Sequence, residues 1–262
     1  MKSVSRVFAA AAGFLLGSAT VVTAGVVMSE TAVSSGAIDN SVRHRTIYVQ
    51  GNKQKVDTDN VQTITDLDKH MIYVIDKEKK NYVEVPLASL NDLFSGGGWS
   101  ADAAIDLTRT GSKQVIAEHR CEEYRGRQGN AQVQITVSAC VSSSAPGAKE
   151  IARFDRAMIA QMRGLKPESS ASTGVVLEKK SVVSLRLPDP SQPGYKTTSL
   201  VTSTRVNGIQ VKQLAAQTFT PPKGFSKVQN QPPQELPDEL ESAALAPWRT
   251  ESQLSAIPRV KI

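Results

Sequence analysis

Aromatic residues are scarce in this chain. Six Phe, five Tyr and two Trp make up 5% of its 262 residues, so a core has to be built mainly from Val, Ile, Leu and Ala. Three His and two Cys leave little material for metal or thiol chemistry. Beyond the first 24 residues no apolar run reaches the roughly 20 residues that a membrane-spanning helix takes. The 31 Lys and Arg against 25 Asp and Glu give +6 spread over the whole length, whereas a nucleic-acid footprint gathers its cations on one face. Lys77, Lys79 and Lys80 are the densest basic group, and beside Asp76 and Glu78 they read as a solvated turn.

Catalytic signatures are missing too. There is no Gly-rich phosphate loop, no G-x-S-x-G elbow, no H-E-x-x-H and no C-x-x-C-H haem site. His44, His70 and His119 lie far apart. His119 and Cys121 share a strand face, but a metal needs further ligands. Asp57, Asp59, Asp66 and Asp68 lack the spacing of a dedicated calcium loop and read as solvated turn carboxylates. The residues point to no enzyme, no metal and no cofactor.

What is present begins with an address. Lys2 and Arg6 precede the apolar stretch 7–16 (VFAAAAGFLL), and Val22-Thr23-Ala24 offers a signal-peptidase site. This pattern predicts a secretory signal peptide over 1–24, cut after Ala24, in preference to an uncleaved anchor. Its removal takes away Lys2 and Arg6 and no acidic residue, lowering +6 to +4. Export favours a disulfide between Cys121 and Cys140, closing a loop whose constraint is worth about 3 kcal/mol. A hairpin turning over 126–130 would not bring the two together. The bridge needs a turn nearer Asn130, a bulge, or neighbours other than hairpin partners.

Residues 25–41 are small and polar and read as a flexible leader. From there short β-rich runs alternate with turn residues: 45–50, Gly51-Asn52, 53–57, 61–67, 71–76 and 81–85. Short polar turns between such runs mean antiparallel hairpins. Residues 71–76 (MIYVID) are apolar on both faces, as a covered central strand would be. A short helix is expected over 86–94, then a Gly-rich loop carrying Trp99. Strands are expected again over 105–109, 114–124 and 131–141. Ile151, Phe154, Met158, Met162 and Leu165 form one stripe at three- and four-residue steps, predicting a helix over 148–165. Strands follow over 174–187 and 195–206, a turn at Asn207-Gly208, and a last strand over 211–219. The tail 229–262, rich in Pro, Glu, Gln and Ser, lacks core-forming residues and is expected to be disordered. The fold class is therefore α+β and mainly β: a curved antiparallel sheet of about ten strands with one long and one short helix.

Residues 46–90 resemble a family of exported bacterial proteins classed as a domain of unknown function. The likeness is carried by Lys53, Lys55 and Asp57, by Ile64 and Asp66, by Met71 to Asp76, and by Tyr82, Glu84 and Pro86. Cys121 with Tyr124, the helix at 148–165 and Phe219-x-x-Pro222-Lys223-Gly224-Phe225 extend it over about 42–228. That family is similar to the LolA-like periplasmic lipoprotein-carrier superfamily. The resemblance implies a half-barrel domain over 42–228, closed by helices around an apolar concavity that can hold acyl chains.

The expected function is a non-enzymatic periplasmic protein that binds a lipid or other apolar ligand. Ile151, Phe154, Met158 and Met162 would face the concavity together with Tyr73, Ile75 and Val137. The alternative is an envelope sensor or scaffold that binds another protein through the Trp99 loop and the tail, in the periplasm or fully secreted.

Overall fold

A computed structural model describes residues 24–36, 40–89, 105, 107–130, 133–161, 174–188 and 195–228. Twelve strands form one open, curved sheet. In chain order they are β1 (Gly25–Gly36), β2 (Asn40–Gln50), β3 (Lys53–Asp57), β4 (Val61–Asp66), β5 (Met71–Asp76), β6 (Asn81–Pro86), β7 (Thr108–Ile116), β8 (His119–Gly129), β9 (Val133–Ser142), β10 (Val175–Pro188), β11 (Tyr195–Lys212) and β12 (Ser226–Lys227). Their order across the sheet is β12-β6-β5-β4-β3-β2-β1-β11-β10-β9-β8-β7. Every pairing is antiparallel except β12 with β6. One long helix, α1 (Ala148–Gln161), packs across β1, β2 and β10. The face it covers is called the inner face below. Of the expected short helix, residues 87–89 are helical and the rest lies outside the described residues, as do the signal peptide up to residue 23, Trp99 and the tail.

The local chemistry of β2–β6 explains its regularity. Gly51-Asn52 closes the first hairpin, with Gly51 at φ 61. The next turns repeat one design. Asp66 Oδ1 accepts the Asp68 and Lys69 amides, and His70 takes φ 53; Asp76 Oδ1 accepts the Lys79 amide, and Lys80 takes φ 50. An aspartate that opens a turn by capping backbone donors needs no glycine to do so. The Lys79 amide also holds the Asp76 carboxyl below its usual pKa, despite partial burial. Asp66 is buried rather than solvated, at 1% exposure, with Lys53 Nζ at 2.5 Å.

Four expectations are corrected. Residues 25–36 are no leader: β1 is a central strand, paired along its length with β2 and β11. Its Ser and Thr residues disguise the alternation of Val26, Met28, Glu30 and Ala32, all buried. Asn207-Gly208 does not turn. Ser29 pairs with Gly208 and Glu30 with Val206, so Asn207 is a bulge inside a continuous β11, and its Nδ2 donates to Thr31 Oγ1 at 2.9 Å. The expected run 114–124 is split by a turn at Ala117 and Glu118, both at positive φ (48° and 68°). Residues 211–219 are mostly not strand: β11 ends at Lys212 and a 3₁₀ turn, Ala216–Phe219, follows.

That last departure has a packing reason. Alternate residues of β5 face opposite ways, and both sets are apolar. Ile72 and Val74 join the core under α1. Tyr73 and Ile75 belong to a second cluster on the outer face, where Ile64 and Phe219 are also buried and Leu214 and Phe225 pack alongside. The chain after β11 thus crosses the outside of the sheet, then adds β12 at the edge beside β6. The Ser226 amide donates to Lys80 O and the Val228 amide to Tyr82 O. Lys227 Nζ lies 2.7 Å from Glu84 Oε2, a contact that raises the lysine pKa.

Cys121 and Cys140 are bridged, with Cα atoms 5.3 Å apart. The β8–β9 register places Glu123, not Cys121, opposite Cys140, so the bridge is diagonal. It forms because the hairpin turns late. Gly129 still pairs with Gln134, and the Asn130 side chain accepts the Val133 amide at 2.9 Å.

Candidate functional site

The apolar stripe of α1 settles on the inner face. Ile151, Phe154 and Met158 are buried in one cluster with Val26, Met28 and Ile47. Polar contacts fix the helix to the sheet at both ends. At its start Glu150 Oε1, in the first turn where a carboxylate suits the helix dipole, accepts the Gly51 amide at 2.7 Å. At its end Gln161 meets His70 Nδ1 at 3.0 Å and donates to Leu67 O at 3.3 Å. Thr63 lies in a paired row with Val56 and Val74, both members of that cluster. Its hydroxyl is buried without a hydrogen-bond partner.

The structure brings together only some of the expected ligand residues. Ile151, Phe154 and Met158 share the helix-covered cluster; Met162 lies outside the described residues. Tyr73 and Ile75 point to the outer face, one residue out of phase with Ile72 and Val74, and are covered by Phe219. Val137 shares a paired row with Ser181 and Thr202, but its cluster is a separate one with Ile105, Ile135 and Val183.

Between the two apolar clusters the inner face becomes polar. Along β1 and β2 the row Met28–Ile47 is followed by Glu30–Arg45, then by Ala32–Arg43. The Ala32–Arg43 row continues through Thr204 to Lys179, and the next runs from Ser34 through Thr202 to Ser181. Arg45 and Glu30 form an ion pair with side chains only 10% and 6% exposed. Ser181 is 3% exposed, and its hydroxyl has no hydrogen-bond partner. Sequence reading missed this band because Glu30 fell in the supposed leader. The signal was there: Arg43 and Arg45 are in phase with Ile47 and Val49, and Glu30 with Met28. Among the described residues no three His, Cys, Asp or Glu side chains come together as a metal site, and the bridge occupies both sulfurs.

No family model matches the chain, and no curated protein does. Solved structures give distant likenesses. A LolA superfamily protein from Nitrosomonas europaea is 7% identical with TM-score 0.29, over 77% of this chain and 91% of that one. A DUF1329 family protein from Desulfovibrio piger is 9% identical with TM-score 0.31, over 76% and 90%. The PNGF-II structure is 8% identical with TM-score 0.39 over 79% of this chain, which spans about a third (31%) of its length. Identity and overlap this low assign no ligand and no family.

Proposed function

We propose that this chain is an exported, non-catalytic carrier that holds an acyl chain or similar apolar molecule between α1 and the inner face of the sheet. The observation that carries this reading is the way α1 sits: apolar from Ile151 to Met158 against the sheet, with polar anchors at Glu150 and Gln161. The strands satisfy one another's backbone groups, so the sheet does not need the helix for hydrogen bonding. What the helix supplies is apolar cover, worth about 25 cal/mol per Å², and a lipid chain can supply the same. The signal-like first 24 residues and the cystine support residence in the periplasm.

The test is a titration of delipidated protein, residues 25–262, with the apolar dye N-phenyl-1-naphthylamine. Saturable fluorescence, displaced by oleyl alcohol and weakened at least tenfold by Met158→Glu, is expected. Glu150→Ala, which frees one anchor without touching the apolar stripe, should speed dye uptake. A signal that never saturates in the wild-type protein would sink the carrier reading.

A further inference from the structure

We infer that the ligand is an uncharged acyl ester, and that its carbonyl oxygen is bound by the Thr63 hydroxyl on the inner face. The inference deepens the carrier reading and rests on it. Alternate residues along β4 and its exit, Val61, Thr63, Thr65 and Leu67, face the same way, and all four are buried. Val61 and Leu67 join the cluster that holds Phe154 and Met158 of α1. The register sets Thr63 between Val56 and Val74, and Thr65 between Gln54 and Ile72. Val56, Val74 and Ile72 belong to the same apolar cluster, and Gln54 is buried at 4% exposure. Three polar side chains thus leave one patch of the sheet together. Cross-strand partners such as Gln54 and Thr65 stand about 5 Å apart at Cβ, and Thr63 is about 7 Å along the strand from Thr65. Gln161 donates to Leu67 O at 3.3 Å, two residues beyond Thr65, so the patch lies beside the end of α1.

The Thr63 hydroxyl is the observation that points to a ligand. The residue is 3% exposed, and the hydroxyl has no hydrogen-bond partner. Native proteins pair almost all such groups, and an unpaired one is destabilising. Valine has the same shape and a high strand preference without the hydroxyl, so folding alone gives no reason for threonine at this position. A molecule lying between α1 and the sheet passes over this row and can supply the missing acceptor. Charge then narrows its chemistry. Neither of the two rows carries a charged residue from β2 to β6. An ion brought there would lose its hydration with no counter-charge in return. An ester carbonyl accepts from the hydroxyl and brings no donor that needs a partner of its own.

Methyl laurate and dodecyl methyl ether differ only in the carbonyl, so their comparison isolates it. Each is added to delipidated protein, residues 25–262, and read by displacement of diphenylhexatriene, a hydrocarbon dye with no polar group. Laurate at pH 8 is the charged probe. The ester is expected to bind about fivefold more tightly than the ether, as one net hydrogen bond would give, and more tightly than laurate. Thr63→Val should abolish that preference, leave dye and ether binding unchanged, and raise the melting temperature; Thr63→Ser, which keeps the hydroxyl, should retain the preference. A purely structural threonine would show the change in melting temperature alone. Equal affinity for ester and ether, or an undiminished preference in Thr63→Val, overturns the carbonyl site and leaves the carrier intact. Laurate bound more tightly than the ester overturns the uncharged ligand. Dye that never saturates in the wild-type protein overturns the carrier itself.

Discussion

Gly147 lies against Val26 so closely that a Cβ on the glycine would overlap the valine side chain, and its φ is 73°. The residue that leads into α1 is thereby locked onto the first strand of the sheet. Gly147→Ala should cost about 3 kcal/mol, from strain and overlap combined. Gly51→Ala is the control, because φ is also positive there (61°) but no atom lies within 4 Å of the added carbon. It should cost about 1 kcal/mol. Urea unfolding of both variants checks the difference, and equal losses would mean that the contact with Val26 contributes nothing.

The bridge between Cys121 and Cys140 joins residues 19 apart in sequence, within one hairpin. Exchange of both cysteines for alanine should lower stability by about 3 kcal/mol. The intact mass of the oxidised chain should be two hydrogens below that of the reduced one. Losses much under 1 kcal/mol would show that the hairpin register alone holds β8 to β9.

Tyr73 and Ile75 stand on the face away from α1. Ile75→Ala should therefore lose about 3 kcal/mol by opening a cavity under Phe219 and leave dye affinity unchanged while the protein is folded. Phe154→Ala should lose a similar amount and change affinity as well. Thermal melts beside dye titrations separate the two, and an affinity change in the Ile75 variant would contradict the placement.

The Glu123 carboxyl is held below its ordinary pKa, first by the hydrogen bond from Arg125 and further by the Thr110 hydroxyl, against the opposing effect of burial. A depressed carboxyl contributes stability that is present above its unfolded value, about 4.5, and is lost as pH falls through the folded one. Glu123→Gln should thus be less stable at pH 6 and fall less steeply between pH 5 and pH 3. Parallel curves of urea midpoint against pH would refute this role for Glu123.

How far the fold was legible follows from particular residues. The hairpins β2 to β6 could be read because Gly51-Asn52, Asp66 and Asp76 announce their turns in side-chain chemistry. The turn at Ala117-Glu118 could not, since neither residue favours the positive φ it adopts. Asn207-Gly208 misled for the converse reason: β1 lies alongside and captures β11 as a ladder, so a strong local turn signal becomes a bulge. The α1 stripe was legible by its period. Its partners on the sheet were read one residue out of phase at Tyr73 and Ile75, because β5 is apolar on both faces and alternation there carries no direction. The buried Glu30–Arg45 pair escaped because a central strand rich in Ser and Thr resembles a leader.

The two margins of the sheet differ. One ends in the two-residue β12, beside Asn81 and Tyr82 of β6, while β7 forms the other, exposed at all its residues but Ile116, with Val115 63% exposed. Unpaired edges invite copies of the same chain to stack on them. Here the ladder from β8 skips from Arg109 to Lys113, and Gly111 bends the margin at φ 85°. A strand arriving from another molecule would find two short stretches out of line with each other instead of one continuous template. At high concentration, then, this protein should resist fibril growth through its open side, and straightening β7 by removing Gly111 and Ser112, which leaves Thr110 opposite Glu123, would supply the missing template.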